Sequence, residues 1–82
     1  PVVDAEDVED TGCSRLLDNN HVRLSLRSVG GKAVFGGIAF GLGELFQSLK
    51  DRPFDIAFNL REEYWRGERG LSLQVKDMRA KN

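Results

Sequence analysis

Cysteine and histidine are almost absent from this sequence, which contains one of each, Cys13 and His21. A single cysteine excludes an internal disulfide framework and agrees with a reducing compartment, so we expect a cytoplasmic protein. A single histidine, with no carboxylates clustered at a suitable spacing, leaves no ligand set for a catalytic metal centre. The sequence therefore predicts no catalytic residue, no metal site and no cofactor in this chain.

Long apolar runs are also missing. No segment approaches the ~18 apolar residues of a membrane span, and the chain shows no signal peptide, so we expect no membrane partner. The 82 residues are 40% hydrophobic and 30% charged, which is typical of an ordinary globular domain. We predict one domain over residues 1–82. Because the first residue is Pro1 rather than Met, we expect the chain to be either processed or, as the favoured alternative, a fragment of a longer protein.

Charge is distributed unevenly along the chain, although the net charge is only −1. The first ten residues contain no base and five acids, namely Asp4, Glu6, Asp7, Glu9 and Asp10. The rest of the chain contains the other eight acids and all 12 bases, a net charge of +4. A mildly basic body behind an acidic leading segment can bind a polyanion on one face.

Alternation of apolar and polar residues predicts five strands. The first is long and interrupted within residues 2–17, and the others cover 21–27, 33–40, 54–60 and 71–78. A short helix at about 43–50 is predicted between the third and fourth strands, because Leu45, Phe46 and Leu49 share one helical face. The adjacent Gly36 and Gly37 indicate a bulge or a tight bend in the third strand.

The resulting order, β-β-β-α-β-β, is typical of the OB fold, a small five-stranded Greek-key barrel. We therefore predict an all-β domain with one short helix. Two alternatives remain open: an SH3-like barrel, and a four-stranded antiparallel sheet with one packed helix. We place Phe40, Phe46, Phe54 and Phe58 in the core and leave the position of Phe35 undecided.

Several segments carry a resemblance to a known family. The most specific are GIAFGLGE at 37–44, and WRG at 65–67 followed by LQVKD at 73–77. Weaker ones are DTGCSR at 10–15, VRLSLR at 22–27 and FDIAF at 54–58. In their order and spacing, these segments resemble the OB-type domain near the C-terminus of RecJ single-stranded-DNA exonucleases. The resemblance covers nearly the whole chain.

The resemblance implies a single-stranded DNA-binding module of a nuclease that degrades single-stranded DNA from its 5′ end in DNA repair and recombination. It also implies that the parent enzyme uses a two-metal site, with Mg²⁺ or Mn²⁺, built from Asp- and His-rich motifs of the DHH type. Those motifs are absent from residues 1–82. The expected partners are single-stranded DNA and the catalytic domains of the parent nuclease.

Aromatic and cationic residues near the last hairpin are the first candidates for nucleic-acid binding. Tyr64 and Trp65 could stack on bases, at roughly 1–3 kcal/mol per base, while Arg66 and Arg69 could contact phosphates. Trp65 could equally pack over an open end of the barrel. Successive strand residues face opposite sides, so at most one of the two rings is expected to be buried.

Three further cations are candidates. Arg23 and Arg27 flank Ser25 on the outward face of the second strand, which nucleic acid crosses in OB barrels. Lys32, in the loop after Gly31, could reach a phosphate. An ordinary solvated face and a plain turn lysine are the simpler alternatives.

A function of another class also stays open for the whole module. An OB-type interaction domain could dock on the nuclease core or on another repair protein. An exposed apolar patch would favour that alternative over DNA binding.

Overall fold

A computed structural model describes residues 1–81, apart from the side chain of Trp65. The elements are β1 (Val3–Asp10), β2 (Arg15–Leu17), β3 (His21–Ser28), β4 (Val34–Ala39), α1 (Gly43–Leu49), β5 (Phe54–Trp65) and β6 (Glu68–Ala80). A 3₁₀ turn, Asp18–Asn20, joins β2 to β3. The predicted all-β class with one short helix is confirmed. No helix within residues 1–81 is long and apolar enough to cross a membrane.

The strands close into a barrel. They form one sheet in the order β1-β5-β6-β4-β3-β2, and β1 also pairs with β3. Every pair is antiparallel except β4 and β6, which run parallel. β1 and β2 follow one another along one edge of β3, with Val8 opposite Ser28 and Leu17 opposite His21. They are the two halves of the predicted interrupted first strand, so the predicted five-stranded OB-type barrel is confirmed.

The core of the barrel is apolar. Phe46 of α1 packs edge-on against Phe54 of β5, with ring centroids 6.4 Å apart. Full burial of a side chain of this size stabilises the fold by about 1.5–3 kcal/mol. Both were predicted as core residues, and Phe58 packs against the core while only partly buried. The other buried side chains are Val8, Val22, Leu24, Leu26, Ala39, Ile56, Leu73, Val75 and Met78.

The paired glycines of β4 do not form the predicted bulge. β3 and β4 pair in unbroken register, from Val34 opposite Arg27 to Ala39 opposite Val22. Gly37 instead permits close approach of β6, because a Cβ there would lie 2.7 Å from the carbonyl oxygen of Leu73. The Cβ position of Gly36 has nothing within 4 Å. Gly37 therefore allows β4 and β6 to pair and close the barrel, whereas Gly36 leaves open space on the surface of β4.

Phe40 does not lie in the core, contrary to the prediction, because half of its side chain (50%) is exposed. In an unbroken strand, successive residues face opposite sides. Gly37 and Ala39 are buried, so Ile38 faces outward, and Phe40 continues this outward side just past the end of β4.

The barrel contains two irregularities that return apolar side chains to the core. In β6, Lys76 has no residue opposite it, since Ala57 pairs with Asp77 and Phe58 pairs with Val75. In β1, the register with β5 shifts between Ala5 and Val8. Such a shift changes which side the following residues face, and Val8 is thereby buried (5% exposed).

The β5–β6 hairpin is longer than predicted. Its register is continuous from Phe58 opposite Val75 to Trp65 opposite Glu68. The two turn residues, Arg66 and Gly67, both have positive φ, 52° and 82°, which matches the twist of a two-residue hairpin. β1 pairs with β5 only as far as Phe58, and β4 pairs with β6 only from Leu73. Residues 60–72 therefore extend beyond the barrel, and we call them the arm.

Candidate nucleic-acid interface

The outward side of β2, β3 and β4 forms one continuous surface, which we call the β2–β4 face. Val22, Leu24 and Leu26 are buried, so the residues between them on β3 face outward. Cross-strand pairing arranges this face in rows, including Arg15 with Arg23 and Ile38, Ser25 with Gly36, and Arg27 with Val34. Neighbouring rows are about 7 Å apart, because each is two strand residues from the next.

Two arginines lie directly opposite each other on this face. Arg15 of β2 pairs with Arg23 of β3, and both are exposed. Neither makes an ion pair with another described residue. Like charges in this arrangement are destabilising. Arg23 was a predicted site residue, but Arg15 was not, because the sequence alone did not place the interrupted first strand in register with β3.

A groove lies between the β2–β4 face and the arm. Its volume is about 310 Å³, and it is lined by Arg23 and Arg61, together with Leu24, Gly36, Gly37, Ile38 and, on the arm, Glu63, Leu71 and Ser72. The groove lies where β6 parts from β4, and Gly36 leaves its floor unfilled. Arg61 lay just beyond the predicted fourth strand. Continuing the alternation of β5 by one residue would have placed it on the same face as Asn59.

Arg27 shares the face with Arg23, as the predicted strand requires, but its charge is partly balanced. Its Nε lies 2.9 Å from the Oε2 of Glu9, across the β1–β3 pairing. An ion pair on the surface contributes only about 0–1 kcal/mol, so a phosphate can compete for this guanidinium. Lys32 is exposed in the loop between β3 and β4, beside the row of Arg27 and Val34.

Tyr64 and Arg69 lie on the other face of the arm. They are opposite each other in the hairpin, and alternation puts them on the face away from Arg61. Tyr64 is 66% exposed. Leu60 (59%) and Leu71 (70%), which lie on the same face of the arm, are also more than half exposed. The Nη2 of Arg69 lies 2.6 Å from the Oε1 of Glu62.

The structure therefore brings some predicted residues together and separates others. Arg23 and Arg27 share the β2–β4 face with Lys32 at its end, whereas Tyr64 and Arg69 share the far face of the arm. Arg66 occupies the hairpin turn. The predicted stacking of Trp65 lies outside the described residues, since its side chain is not described. None of the predicted contacts with DNA is tested by these positions, and they remain predictions.

The acidic leading segment is mostly directed elsewhere. Asp4, Glu6, Asp55 and Asp77 line a shallow pocket of about 190 Å³ on the side of the barrel formed by β1, β5 and β6. Nearby, the Nζ of Lys81 lies 3.3 Å from an oxygen of Asp55 and 3.3 Å from one of Asp7. The hydrogen bond to Asp55, with a smaller one to Asp7, raises the pKa of Lys81 above its ordinary value. The described residues contain no group of three His, Cys, Asp or Glu that could hold a metal ion.

Comparison with known proteins adds one finding. The family model of the RecJ OB domain matches residues 1–77. No curated protein and no solved structure gives a significant match. The matched region contains β1 to β5 and most of β6, and hence every strand of the closed barrel. This chain belongs to the RecJ OB domain family, an OB-type module of RecJ-like proteins.

Proposed function

We propose that this domain is the single-stranded DNA-binding module of a RecJ-like exonuclease that degrades single-stranded DNA from its 5′ end in DNA repair and recombination. The observation that carries the proposal is the groove between the β2–β4 face and the arm, lined by Arg23 and Arg61. Arginine binds phosphate through paired N–H donors. Half-buried Ile38 on the same groove offers an apolar contact to a base.

Single-stranded DNA fits this arrangement better than a duplex. A two-stranded ribbon such as the arm can enter the major groove of a duplex, and a ribbon used in that way benefits from a positive charge. The arm instead carries equal numbers of opposite charges, since Arg61, Arg66 and Arg69 are balanced by Glu62, Glu63 and Glu68. Arg15 and Arg23, which make no ion pair with another described residue, lie instead on the β2–β4 face, where a protein can bind a single strand along its backbone.

The remaining predicted residues extend this site. Arg27 and Lys32 would take phosphates farther along the face, and Arg66, Arg69, Tyr64 and Trp65 would contact the strand at the arm. Hydrolysis is assigned to the catalytic domains of the parent protein, which we propose to be a metal-dependent exonuclease that uses Mg²⁺ or Mn²⁺. Within this domain we place only binding, and we assign no cofactor to it. The proposed location is the cytoplasm.

The test is a titration of fluorescently labelled oligothymidine and of a duplex of equal length at several salt concentrations. The domain should bind the single strand more tightly than the duplex. Arg23→Gln and Arg61→Gln should each weaken binding and reduce the salt slope by about 0.7, the value for one phosphate contact on a single strand. Arg52→Gln is the matched control, because Arg52 is exposed in the loop before β5 and lines a different cavity. Equal affinity for both DNAs, or equal losses in all three variants, would contradict the proposal.

A second candidate function is supported by the far face of the arm. Leu60, Tyr64 and Leu71 are all more than half exposed there, and apolar patches of this kind mark docking surfaces. The partner we propose is the catalytic core of the same nuclease. Leu60→Ser, at a residue that does not line the groove, should then weaken association with the separately produced catalytic domains and leave the affinity for oligothymidine unchanged. Loss of DNA affinity in this variant would assign the far face of the arm to DNA instead.

A further inference from the structure

We propose that Arg15, Arg23 and Phe40 form one nucleotide subsite on the β2–β4 face. The two guanidinium groups hold a single phosphate between them, and the Phe40 ring stacks on the adjoining base. This inference rests on the proposed function, single-stranded DNA binding, and adds the positions of one phosphate and one base. None of the predicted site residues supplies the base contact of this subsite, and only Arg23 takes part in it.

The phosphate position follows from the Arg15–Arg23 pair. Side chains directly opposite on neighbouring antiparallel strands have Cβ atoms about 4.5–5.5 Å apart, and like charges in this position repel each other. Other arginines of the domain are neutralised by nearby acids, since Glu9 forms an ion pair with Arg27 and Glu62 forms one with Arg69. Within the described part of the chain, Arg15 and Arg23 have no such partner. A bound anion would remove the repulsion, and phosphate accepts hydrogen bonds from both guanidinium groups.

The base position follows from the way Phe40 is held. Its ring packs against the His21 ring at a centroid distance of 5.2 Å and an interplanar angle of 86°, a preferred geometry for aromatic pairs. The next residue is fixed as well. The N–H of Gly41 donates to Nδ1 of His21 at 2.8 Å, and Nδ2 of Asn20 donates to the Gly41 carbonyl oxygen at 3.0 Å.

Phe40 is thus both held by a contact with the His21 ring and half exposed. A ring that is already held before binding loses less conformational entropy when a base stacks on it. An exposed aromatic held in place by its neighbours is what a stacking contact needs, and a core role would have buried it.

The two positions are close enough to belong to one nucleotide. His21 and Arg23 are two residues apart on the same side of β3, which is about 7 Å. Phe40 lies beside His21, and Ile38 lies beside Arg23. Arg23 also lines the groove with Arg61. The subsite therefore continues the groove and gives the strand a path from the arm, over Arg23, to β2.

The experiment compares a normal oligothymidine with an abasic oligomer of the same length that keeps its phosphates. Phe40→Leu should weaken binding of oligothymidine by about 5- to 150-fold, the range for loss of one stacked base, and should leave binding of the abasic oligomer unchanged. Phe40→Trp should retain the affinity of the parent domain. The matched control is Phe35→Leu, since Phe35 is similarly exposed (47%) on the other side of the same strand.

Arg15→Gln provides the second arm of the experiment. It should weaken binding of both oligomers and reduce the salt slope by about 0.7. Its thermal midpoint should stay equal or rise, because the repulsion from Arg23 is relieved. A purely structural role for Arg15 would lower the midpoint instead. Arg52→Gln serves as the control for the change in net charge.

The outcomes separate the two proposals. If the parent domain binds oligothymidine and both Phe40→Leu and Arg15→Gln bind it equally well, the subsite is wrong and the proposed function stands. If Phe40→Leu loses equal affinity for the normal and the abasic oligomer, the ring does not stack on a base and the subsite is again wrong. If the parent domain does not bind single-stranded DNA, the proposed function fails and the subsite fails with it.

Discussion

The β2–β4 face and strand β1 are parts of one barrel with opposite chemistry. β2, β3 and β4 contain three arginines and no acid, whereas β1 has five acids among its eight residues and no base. The two regions meet where the end of β1 pairs with β3, and Glu9 forms an ion pair with Arg27 there. The net charge of −1 is thus a sum over two surfaces, of which one can attract a polyanion. Charge on a strand is informative about binding only when the side of the barrel to which it belongs is known.

Removal of the acidic segment is the largest perturbation of this comparison. Deleting residues 1–10 removes β1, which pairs with both β3 and β5 and buries Val8 in the core. The loss opens the barrel, and the whole stability of a small domain is only about 5–15 kcal/mol. We expect the truncated chain to lack a cooperative thermal transition by circular dichroism. A folded truncation would show that β1 is an accessory to the barrel, and its DNA affinity would then report on the acids directly.

Substitution of the two glycines of β4 should give the next largest effect, a change in the free energy of unfolding. It distinguishes a glycine that the closed barrel requires from one that lies at its open surface. Gly37→Ala places a Cβ against the Leu73 carbonyl oxygen, and forcing β4 and β6 apart should cost about 1–3 kcal/mol in the free energy of unfolding. Gly36→Ala, one residue away, meets open space and should change it by less than about 0.5 kcal/mol. Chemical denaturation of both variants checks the pair. Equal effects would mean that the close contact between β4 and β6 is absent.

Substitution of Trp65 should give a loss of free energy of similar size. Measuring both stability and DNA affinity shows whether the loss is in folding or in binding. Trp65→Ala should cost roughly 1–3 kcal/mol of oligonucleotide affinity if the ring stacks on a base. If the ring is buried, the same change should cost about 3–5 kcal/mol in folding stability. Thermal midpoint and affinity are therefore measured on the same preparation. We expect the loss in affinity, and a folded variant with unchanged affinity would remove Trp65 from the proposed site.

The strands that line the core could be predicted from the sequence because every second residue of such a strand is buried and apolar. Val22, Leu24 and Leu26 predicted β3 in this way, and the order of the elements predicted the barrel. The length of the arm could not be predicted in this way. Residues 61–70 extend beyond the core, so neither face of the arm has to be apolar. Alternation therefore fades there, although the strands continue to Trp65 and from Glu68.

The candidate site was predictable only in part, for a related reason. Arg23 could be identified because its own strand shows which side it faces. The partners of Arg23 come from cross-strand register, which depends on residues far apart in the sequence. Arg15 was missed for this reason, whereas Arg61 was missed because the predicted fourth strand ended one residue before it. Phe40 was assigned to the core, but alternation alone does not show which side of β4 faces inward. It places Phe40 on the same side as Val34 and Ile38, and only the burial of Gly37 and Ala39 shows that the opposite side lines the core.

The smallest expected effect comes from the acids that point away from the face. Asp4→Asn with Glu6→Gln keeps β1 and removes two charges on a side of the barrel different from Arg23. The shortest extent of the molecule is 26 Å, while the screening length is about 8 Å at physiological salt and about 30 Å at 0.01 M. Affinity for oligothymidine should therefore be unchanged at 0.15 M salt and rise by less than about threefold at 0.01 M.

Glu9→Gln is the matched comparison, because it removes one acid from the same strand but at the contact with Arg27. This change frees the Arg27 guanidinium on the β2–β4 face. Affinity for oligothymidine should therefore increase at both salt concentrations, because this guanidinium lies beside the proposed path of the strand. Titrations of the two variants at 0.01 M and 0.15 M salt give the answer. If Asp4→Asn with Glu6→Gln strengthens binding at 0.15 M as much as Glu9→Gln does, the DNA passes close to the β1–β5 side. The division of the barrel into a binding face and an acidic side would then be wrong.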